Sequence, residues 1–311
     1  MLSRRNIRIK VMQVLYAMNR DKALNKHKAL VQYNNNINQS YNLYLFNLIQ
    51  LIKVAEYSQT VKRKIKEKLR PTEKDLAFRP ILADNELIQS LKKNQGLQNE
   101  IRVHKKREKL SEDNMRLLYR EFEKAEEYQD YLKSDQLKVE DHRKILLLLF
   151  KTMISNEVFE DVLDENYLFW DDDKSLVVGA MKKTIKALPN DEPFYEAFKP
   201  TFDTVKEFGE VLLNKVNDDS KELFDIIEPT LKNWDAERVA VIDMILLKMA
   251  VCELINFPTI PTKVTLNEFV EISKLYSTDK SKDFINGILD RLLKKLEKEG
   301  KVIKEGRGLI Q

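Results

Sequence analysis

The residue types that carry most enzyme chemistry are sparse in this sequence of 311 residues. The three histidines, His27, His104 and His142, lie far apart, and the sole cysteine, Cys252, falls within an apolar run. The spacing shows no glycine-rich phosphate loop, no nucleophile elbow and no arrangement of cysteine, histidine and carboxylate for nucleophilic catalysis. The sequence therefore indicates no reaction and no disulfide framework. We predict a binding protein rather than an enzyme, with no cofactor.

Two acidic clusters could in principle hold a metal ion. One is the run Asp171–Asp173, and the other comprises Asp161, Asp164 and Glu165. Metal sites combine spaced ligands such as histidine, cysteine and carboxylate, whereas adjacent acids are far more often a solvated turn or the start of a helix. We therefore predict no metal site.

Positive charge is concentrated in two parts of the chain, although the net charge is only +4. Residues 1–25 contain six lysines and arginines against one acid, and residues 61–110 contain 15 lysines and arginines against seven acids. Clusters of this kind are typical of a surface that binds phosphate groups. A charged run can also be the solvated face of a helix, and that alternative stays open for residues 61–110.

The elements that must position these charges are predicted to be helices. The sequence has only seven glycines and eight prolines, fewer than an all-β or doubly wound α/β chain needs for its turns. Apolar residues recur at helical spacing from an N-cap at Ser3 to about Asn19. No apolar stretch is long enough to span a membrane. We predict an all-α protein of the cytoplasm.

Helical periodicity continues along the rest of the chain. Residues 25–40 are polar and asparagine-rich, which indicates a linker. Thr265 and Glu268 have the spacing of a capping box that opens a helix. The further predicted helices are Tyr41–Lys53, Asn85–Glu100, Asn114–Leu132, His142–Ile154, Ser175–Ala187, Thr204–Asn214, Lys221–Leu231, the apolar run after Arg238, Thr265–Leu275 and Ser281–Glu299.

The last predicted helix contains a glycine in its interior. Asn286 and Gly287 would ordinarily indicate a turn, but Phe284, Ile288 and Leu292 continue a helical stripe past them. Glycine costs about 1 kcal/mol in a helix interior. We interpret Gly287 as a position of close packing against a neighbouring segment, with Asn286 forming a hydrogen bond across that contact.

Three segments, in order, resemble the NusB family of transcription antitermination factors. They are the arginine-rich opening Ser3–Ala17, the stretch Glu237–Ser277, and Ser281–Asp290 with the sequence SKDFINGILD. The second segment has the family's order of Ile-Pro-x-Lys-Val followed by Asn-Glu-x-Val-Glu. Together the three motifs are more specific than any one of them.

The resemblance divides the chain into a core and additions. It covers roughly residues 1–24 and 137–299, for which it implies a helical bundle of two subdomains that binds RNA and NusE. We predict that residues 25–136 form an inserted basic helical region, whose removal leaves a foldable core. Residues 300–311 are predicted to form a basic tail.

The resemblance also implies a function in transcription. Members of the family bind the boxA element of ribosomal RNA leader transcripts, pair with NusE, the ribosomal small-subunit protein, and act on RNA polymerase to suppress premature termination. The candidate RNA-binding residues lie at the start of the first helix, along its flank and near the start of the last helix. They are Arg4, Arg5, Arg8, Tyr16, Lys263, Lys280, Ser281, Lys282 and Phe284. Tyr16 and Phe284 either stack on bases or pack in the core.

Two other functions stay open from the sequence. The protein could be a helical adaptor between proteins, with no RNA binding, in which case its basic residues are solvated surface. It could also be the NusB-like accessory part of an RNA methyltransferase, but such an enzyme requires a following Rossmann domain, which the sequence up to Gln311 does not supply. The salt dependence of the binding affinity distinguishes RNA binding from the adaptor function, because affinity for phosphates falls steeply as the salt concentration rises.

Overall fold

The computed structural model of the protein describes residues 1–103, 110–231 and 239–309. The residues in these ranges form α-helices, short 3₁₀ turns and one π-helical segment, with no strand among them, which confirms the all-α class. Within the same ranges, no helix has the length and apolar character needed to cross a membrane. His104, Glu237 and Arg238, which the sequence analysis singled out, lie outside the described residues, as do the last two residues of the tail.

The helices follow one another with short connections. They are α1 (Arg4–Arg20), α2 (Lys26–Lys66), α3 (Glu73–Ala77), α4 (Ile81–Asp84), α5 (Glu86–Lys93), α6 (Gln95–Val103), α7 (Glu112–Glu123), α8 (Glu126–Lys133), α9 (Val139–Ile154), α10 (Glu157–Asn166), α11 (Trp170–Ala187), α12 (Val211–Asp218), α13 (Ser220–Ile227), α14 (Val241–Asn256), α15 (Thr262–Tyr276) and α16 (Ser281–Lys298). The π-helical segment Asp203–Glu210 leads directly into α12. The predicted bounds of α1 and α16 are confirmed to within one residue.

The chain divides into two compact units. The first unit contains Met1 and Asn38–Lys199, and the second contains Leu2–Ile37 and the residues from Pro200 onward. Each unit has its own apolar core. The predicted limits of the family core, at residues 24 and 137, differ from these unit boundaries, so the division into core and insertion stays a prediction.

Helix α1 forms where its cap and its apolar stripe predict it. The Ser3 hydroxyl accepts a hydrogen bond from the backbone N–H of Asn6, and the Asn6 side chain accepts one from the backbone N–H of Ser3. These bonds satisfy two donors that the first turn of a helix otherwise leaves unpaired. Ile7, Val11 and Val14 are fully buried in the core of the second unit, so this face of α1 is fixed by burial of apolar surface.

The predicted linker at residues 25–40 is wrong, because these residues form the first part of the 41-residue helix α2. Tyr33 and Ile37 are buried in the second unit, and the Tyr33 hydroxyl donates to the carbonyl of Val205 at 3.0 Å. The Asn34 amide donates to Leu30 O and to Glu210 Oε1. Asparagine lowers helix stability by at most about 0.7 kcal/mol per residue, a cost that this burial and these bonds outweigh.

Two long predicted helices are each divided in two by the structure. The first is divided at Asn94, whose Oδ1 accepts from Leu97 N at 2.9 Å at the start of α6. The second is divided at Lys124 and Ala125, between α7 and α8. Asn85 caps α5 in the same manner as Asn94 caps α6, accepting from two backbone N–H groups. Asparagine satisfies the unpaired donors of a new first turn, which favours a fresh helix start over continuation.

The interpretation of Gly287 as a close-packing position is wrong. A Cβ built on Gly287 would meet no heavy atom within 4 Å, and Asn286 is exposed. Two other glycines of the second unit are closely packed: Gly308, where a Cβ would lie 1.9 Å from the carbonyl oxygen of Pro258, and Gly209, in the π-helical segment. A Cβ there would lie 1.8 Å from the Tyr33 hydroxyl oxygen and 2.6 Å from Ile7 Cγ2, so only glycine lets α1 and α2 approach this segment.

We expect Gly209→Ala to lower the free energy of unfolding by about 1–3 kcal/mol, because its methyl group overpacks the contact with Tyr33 and Ile7. Gly287→Ala, in the same unit, is the matched control and should raise that free energy by about 0.5–1 kcal/mol, since it adds helix propensity in open space. Urea unfolding of both variants measures the difference. Destabilisation by Gly287→Ala would restore the close-packing interpretation.

The two units also predict the outcome of large deletions. Removing residues 25–136 takes Ala29, Tyr33 and Ile37 from the core of the second unit and takes much of the core of the first. We therefore expect this deletion to abolish cooperative unfolding, contrary to the expectation from the sequence. Removing residues 38–199 and joining the ends by a short linker should leave a cooperatively melting helical protein. Thermal melts followed by circular dichroism check both, and a cooperative melt of the first deletion would contradict the division into these units.

Candidate nucleic-acid interface

An ion pair in the core of the second unit fixes the start of α1. The Arg8 guanidinium donates from Nε and Nη2 to the two carboxylate oxygens of Glu253, each at 2.7 Å. The side chains are only 2% and 0% exposed. A pair taken this far out of water is stable only with such bidentate geometry and with its other lone pairs satisfied. Arg8 was predicted to contact RNA, and the structure corrects this: its guanidinium faces the core and is held by Glu253.

Helix α15 completes the surroundings of that pair. The Thr265 hydroxyl donates to Glu253 Oε1 at 2.7 Å, and Glu268 Oε2 lies 3.7 Å from Arg8 Nη1. The predicted capping box of Thr265 and Glu268 is therefore wrong. Helix α15 begins three residues earlier, at Thr262, so that Thr265 lies inside the helix and is buried.

Glu268 also holds the exposed arginine of the same helix start. Arg5 donates from Nε and Nη2 to the two oxygens of Glu268, at 2.7 and 2.8 Å. This hydrogen bonding raises the pKa of Arg5 above its usual value. The guanidinium carbon of the exposed Arg4 lies 5.6 Å from the centroid of the Phe208 ring, within the range of a cation–π contact. Arg4 and Arg5 therefore lie on the surface of the second unit with defined orientations.

The start of α16 presents two exposed lysines around a buried serine. The Ser281 hydroxyl donates to Asp243 Oδ2 at 2.7 Å, and it lies within 2.9 Å of the hydroxyls of Ser277 and Thr278. Ser281 is 2% exposed, so the expectation that it contacts RNA is corrected: it anchors the helix to α14. Lys280 and Lys282, on either side of it, are exposed.

The carboxylate of Glu271 lies within electrostatic range of both predicted groups of cations. The pKa of Glu271, on α15, is lowered chiefly by the hydrogen bond from Lys274 and further by the charges of Arg5 and Lys282. Arg5 at the start of α1 and Lys282 at the start of α16 are thus both within electrostatic range of Glu271, although 277 positions separate them in the sequence. The fold brings these two helix starts to the same part of the second unit.

The remaining candidates are Phe284, Tyr16 and Lys263, which lie at least partly at the surface of the second unit. Phe284 is half-buried and packs against the core of the second unit while keeping part of its ring at the surface. Tyr16 is 39% exposed, and Lys263 is exposed in the first turn of α15. The contacts described for this unit do not join Tyr16 or Lys263 to the group around Glu271.

The surface around the starts of α1 and α16 carries both signs of charge, because acids of α15 lie near the cations. Sequence reasoning missed those acids, and each had a recognisable pattern. Glu253 is an acid inside the apolar run of α14, which requires a cationic partner once it is buried. Glu268, Glu271 and Lys274 follow at three-residue spacing, which places them along one face of α15.

Three residues of types that often act in catalysis, Cys252, His142 and Asp173, are buried in the two cores. Burial raises the pKa of the Cys252 thiol to about 12, so it stays protonated near neutral pH. His142 Nδ1 lies 2.8 Å from the Tyr131 hydroxyl in the core of the first unit. Asp173, from the acidic run of α11, is buried and accepts a hydrogen bond from Ser40 at 2.6 Å.

The sequence is similar to known proteins over its C-terminal part. The NusB family model matches residues 179–294. The transcription antitermination protein NusB of Salinibacter ruber is 41% identical over 107 residues, which is 34% of this chain and 67% of that protein. The NusB of Chloroherpeton thalassium is 38% identical over 105 residues, or 34% of this chain and 50% of that protein. The NusB of Natranaerobius thermophilus is 35% identical over 92 residues, or 30% of this chain and 66% of that protein.

These matches cover only part of this chain and only part of each relative. The chain spans from 50% to 67% of the length of these curated relatives. The family model runs from within α11 to near the end of α16 and does not include α1. No solved structure matches the chain.

We expect Arg8→Ala to lower the free energy of unfolding by about 3–5 kcal/mol, because it leaves the carboxylate of Glu253 buried without its cation. Arg5→Ala removes an equally bidentate pair at the surface and should cost less than about 1 kcal/mol. Urea unfolding measures both, since urea does not screen charges. A double Arg8→Leu, Glu253→Leu variant should recover much of the loss; equal effects of the two single variants would contradict a structural role for Arg8.

Proposed function

The chain belongs to the NusB family of transcription antitermination factors, and from this premise we propose that it binds boxA-like single-stranded RNA of ribosomal RNA leader transcripts. The proposed surface is formed by the starts of α1 and α16 in the second unit. With RNA bound at this surface, the protein suppresses premature termination of transcription. The observation that carries the proposal is the position of α15: Arg5 bonds its Glu268 at 2.7 and 2.8 Å, and its Glu271 lies within electrostatic range of both Arg5 and Lys282.

The chemistry of the surface suits a single RNA strand. Proteins read single-stranded RNA through cations on phosphates and flat groups stacked on bases. Arg4, Arg5, Lys280 and Lys282 supply exposed cations, and Phe284, two residues after Lys282 on α16, supplies a partly exposed ring. Arginine adds a planar fork that suits both phosphate oxygens and base edges.

The buried ion pair supports this function indirectly. Arg8 and Glu253 tie the first turns of α1 to α14, so Arg4 and Arg5 leave the core in fixed directions. Glu268 holds the Arg5 guanidinium until a phosphate competes for it. In this proposal Arg8 is a positioning residue, and Arg4 and Arg5 are the residues that touch RNA.

The acids at the surface favour a function that depends on a partner. Glu268 and Glu271 oppose an approaching RNA strand, so the RNA affinity of the protein alone is modest. We propose that the protein pairs with NusE, whose added contacts raise the affinity for boxA RNA, and that the pair acts with RNA polymerase in the antitermination complex. Titrating labelled boxA RNA with and without NusE, at two salt concentrations, tests this partnership.

We expect two neighbouring substitutions to change RNA affinity in opposite directions. Arg5→Gln should weaken binding of boxA RNA about tenfold, since it removes one phosphate contact and leaves Glu268 unneutralised. Glu271→Gln should strengthen binding by about two- to threefold, because it removes a negative charge between two phosphate-binding cations. Fluorescence anisotropy at about 0.1 M salt measures both.

The control for Arg5→Gln is the loss of one positive charge on an exposed part of α16 away from its start, Lys294→Gln. We expect it to leave affinity within about twofold, because charges beyond one Debye length of about 10 Å are screened. Unchanged affinity in both Arg5→Gln and Glu271→Gln, with little response to salt, would favour the adaptor function instead.

A further inference from the structure

A second cationic surface lies in the first unit, outside the residues that the family model matches. It is a groove of about 1130 Å³ formed by the end of α2, the segment through α3, and helices α7 and α8, which we call the basic groove. Seven lysine and arginine side chains and three carboxylates line it, so its net charge is +4. Part of it comes from the basic run of residues 61–110, which the sequence allows to be either a phosphate-binding surface or a solvated face.

The floor of the groove is apolar and well packed. Tyr57 and Tyr119 are buried there with ring centroids 5.5 Å apart, which fixes α2 against α7. Val61 and Leu132 are partly buried and also line the groove. The side chain of Lys62 donates to the carbonyl of Phe78, which holds the segment after α3 beside the end of α2. The walls are therefore positioned by packing together with this hydrogen bond.

The cations of the groove come from several separate elements. Lys64 lies near the end of α2, and Lys74 lies on α3. Arg116 and Arg120 project from α7 one turn apart, and Lys133 ends α8. Five positive charges from four helices thus converge on one groove.

Helix dipoles and internal ion pairs account for only part of this charge. Cations in the last turn of α2 stabilise the helix terminus, which is a sufficient reason for Lys64. Lys68 pairs with Asp75 at 2.7 Å, and Arg79 pairs with Asp135 at 3.2 Å. Three further cations, Lys64, Arg116 and Lys133, pair with acids that do not line the groove, at 3.9, 3.4 and 3.1 Å.

Two exposed cations of the groove remain available to a ligand. Lys74 and Arg120 lie in the last turns of α3 and α7, where the helix dipole favours a cation without neutralising it.

We propose that the basic groove binds a phosphodiester backbone segment of single-stranded RNA. This site goes beyond the boxA-binding surface proposed above, and it does not depend on that surface. Three of the seven cations are arginines, Arg79, Arg116 and Arg120, whose planar forks match phosphate oxygens. The partly exposed Phe78 ring offers an apolar face for a base at the same place. An acidic peptide would use the charges but not this combination of forks and ring.

The test compares two double variants of the full chain that lose the same charge. Lys74→Gln with Arg120→Gln changes the groove, and Lys182→Gln with Lys186→Gln changes exposed lysines of α11 in the same unit, away from the groove. The probe is a labelled oligouridylate of about 12 nucleotides, which lacks a boxA sequence. Anisotropy titrations at about 50 and 200 mM salt give affinity and salt dependence.

We expect the groove variant to bind the oligouridylate about 10- to 30-fold more weakly at about 0.1 M salt, and its salt slope to fall by about 1.4, from about 0.7 per lost phosphate contact on a single strand. The α11 variant should stay within about twofold of the unchanged protein. Equal losses in both variants would overturn the proposal in favour of diffuse charge. Unchanged affinity of both variants would also overturn the proposal. Polyglutamate that competes for the protein as strongly as unlabelled oligouridylate would overturn it too.

The result separates this site from the boxA surface. The groove variant should keep the preference for boxA RNA over a scrambled RNA of equal length, while Arg5→Gln should lower that preference. Loss of the preference in the groove variant would show that both variants disturb one surface, which contradicts a second site. Matching circular dichroism spectra and melting temperatures of the variants exclude misfolding as the cause of any loss.

Discussion

The geometry of the second unit depends on one buried ion pair, between Arg8 and Glu253. Both charges are almost completely removed from water, and only paired hydrogen bonds of 2.7 Å, with a third from Thr265, offset that desolvation. The apolar stripe of α1 determines which face of the helix is buried, and the bidentate pair adds directed bonds to its second turn. The start of α1 is therefore fixed relative to α14 and α15. That constraint determines where the exposed arginines of the first turn lie.

The same constraint explains why the candidate surface is not uniformly positive. Glu268 lies near Arg8 and hydrogen-bonds Arg5, so one acid belongs to both the buried and the exposed part of the network. Glu271 continues this row of α15 toward Lys282. In the RNA binding proposed above, such a surface would orient Arg5 well but attract phosphate only weakly, because Glu268 already pairs with this arginine. Orientation without strong attraction suits a protein that gains affinity from a partner.

Sequence patterns predicted the local features of this protein and missed those decided by distant contacts. The cap at Ser3 and the stripe of α1 were predictable because both depend on near neighbours. The burial of Arg8 was not, since it depends on Glu253, 245 residues away. Gly287 shows the same limit: its position inside a helix was predicted correctly, but only the structure shows that Gly209, and not Gly287, is in close contact with neighbouring helices. Residues 25–40 were misread because their polar composition concealed one buried face of α2.

The two cationic surfaces differ in a way that local charge counts do not show. Around Glu271, the acids belong to α15 itself, and Glu271 lies within electrostatic range of both Arg5 and Lys282. In the basic groove, five of the seven cations pair with a carboxylate, and Lys74 and Arg120 add exposed positive charge beside an apolar floor. The first arrangement restricts how a strand can lie, which favours sequence preference. The second favours attraction that depends on salt but not on sequence, because phosphates are the same in every RNA. A protein with both surfaces can hold a transcript by its backbone through one surface and select a sequence through the other.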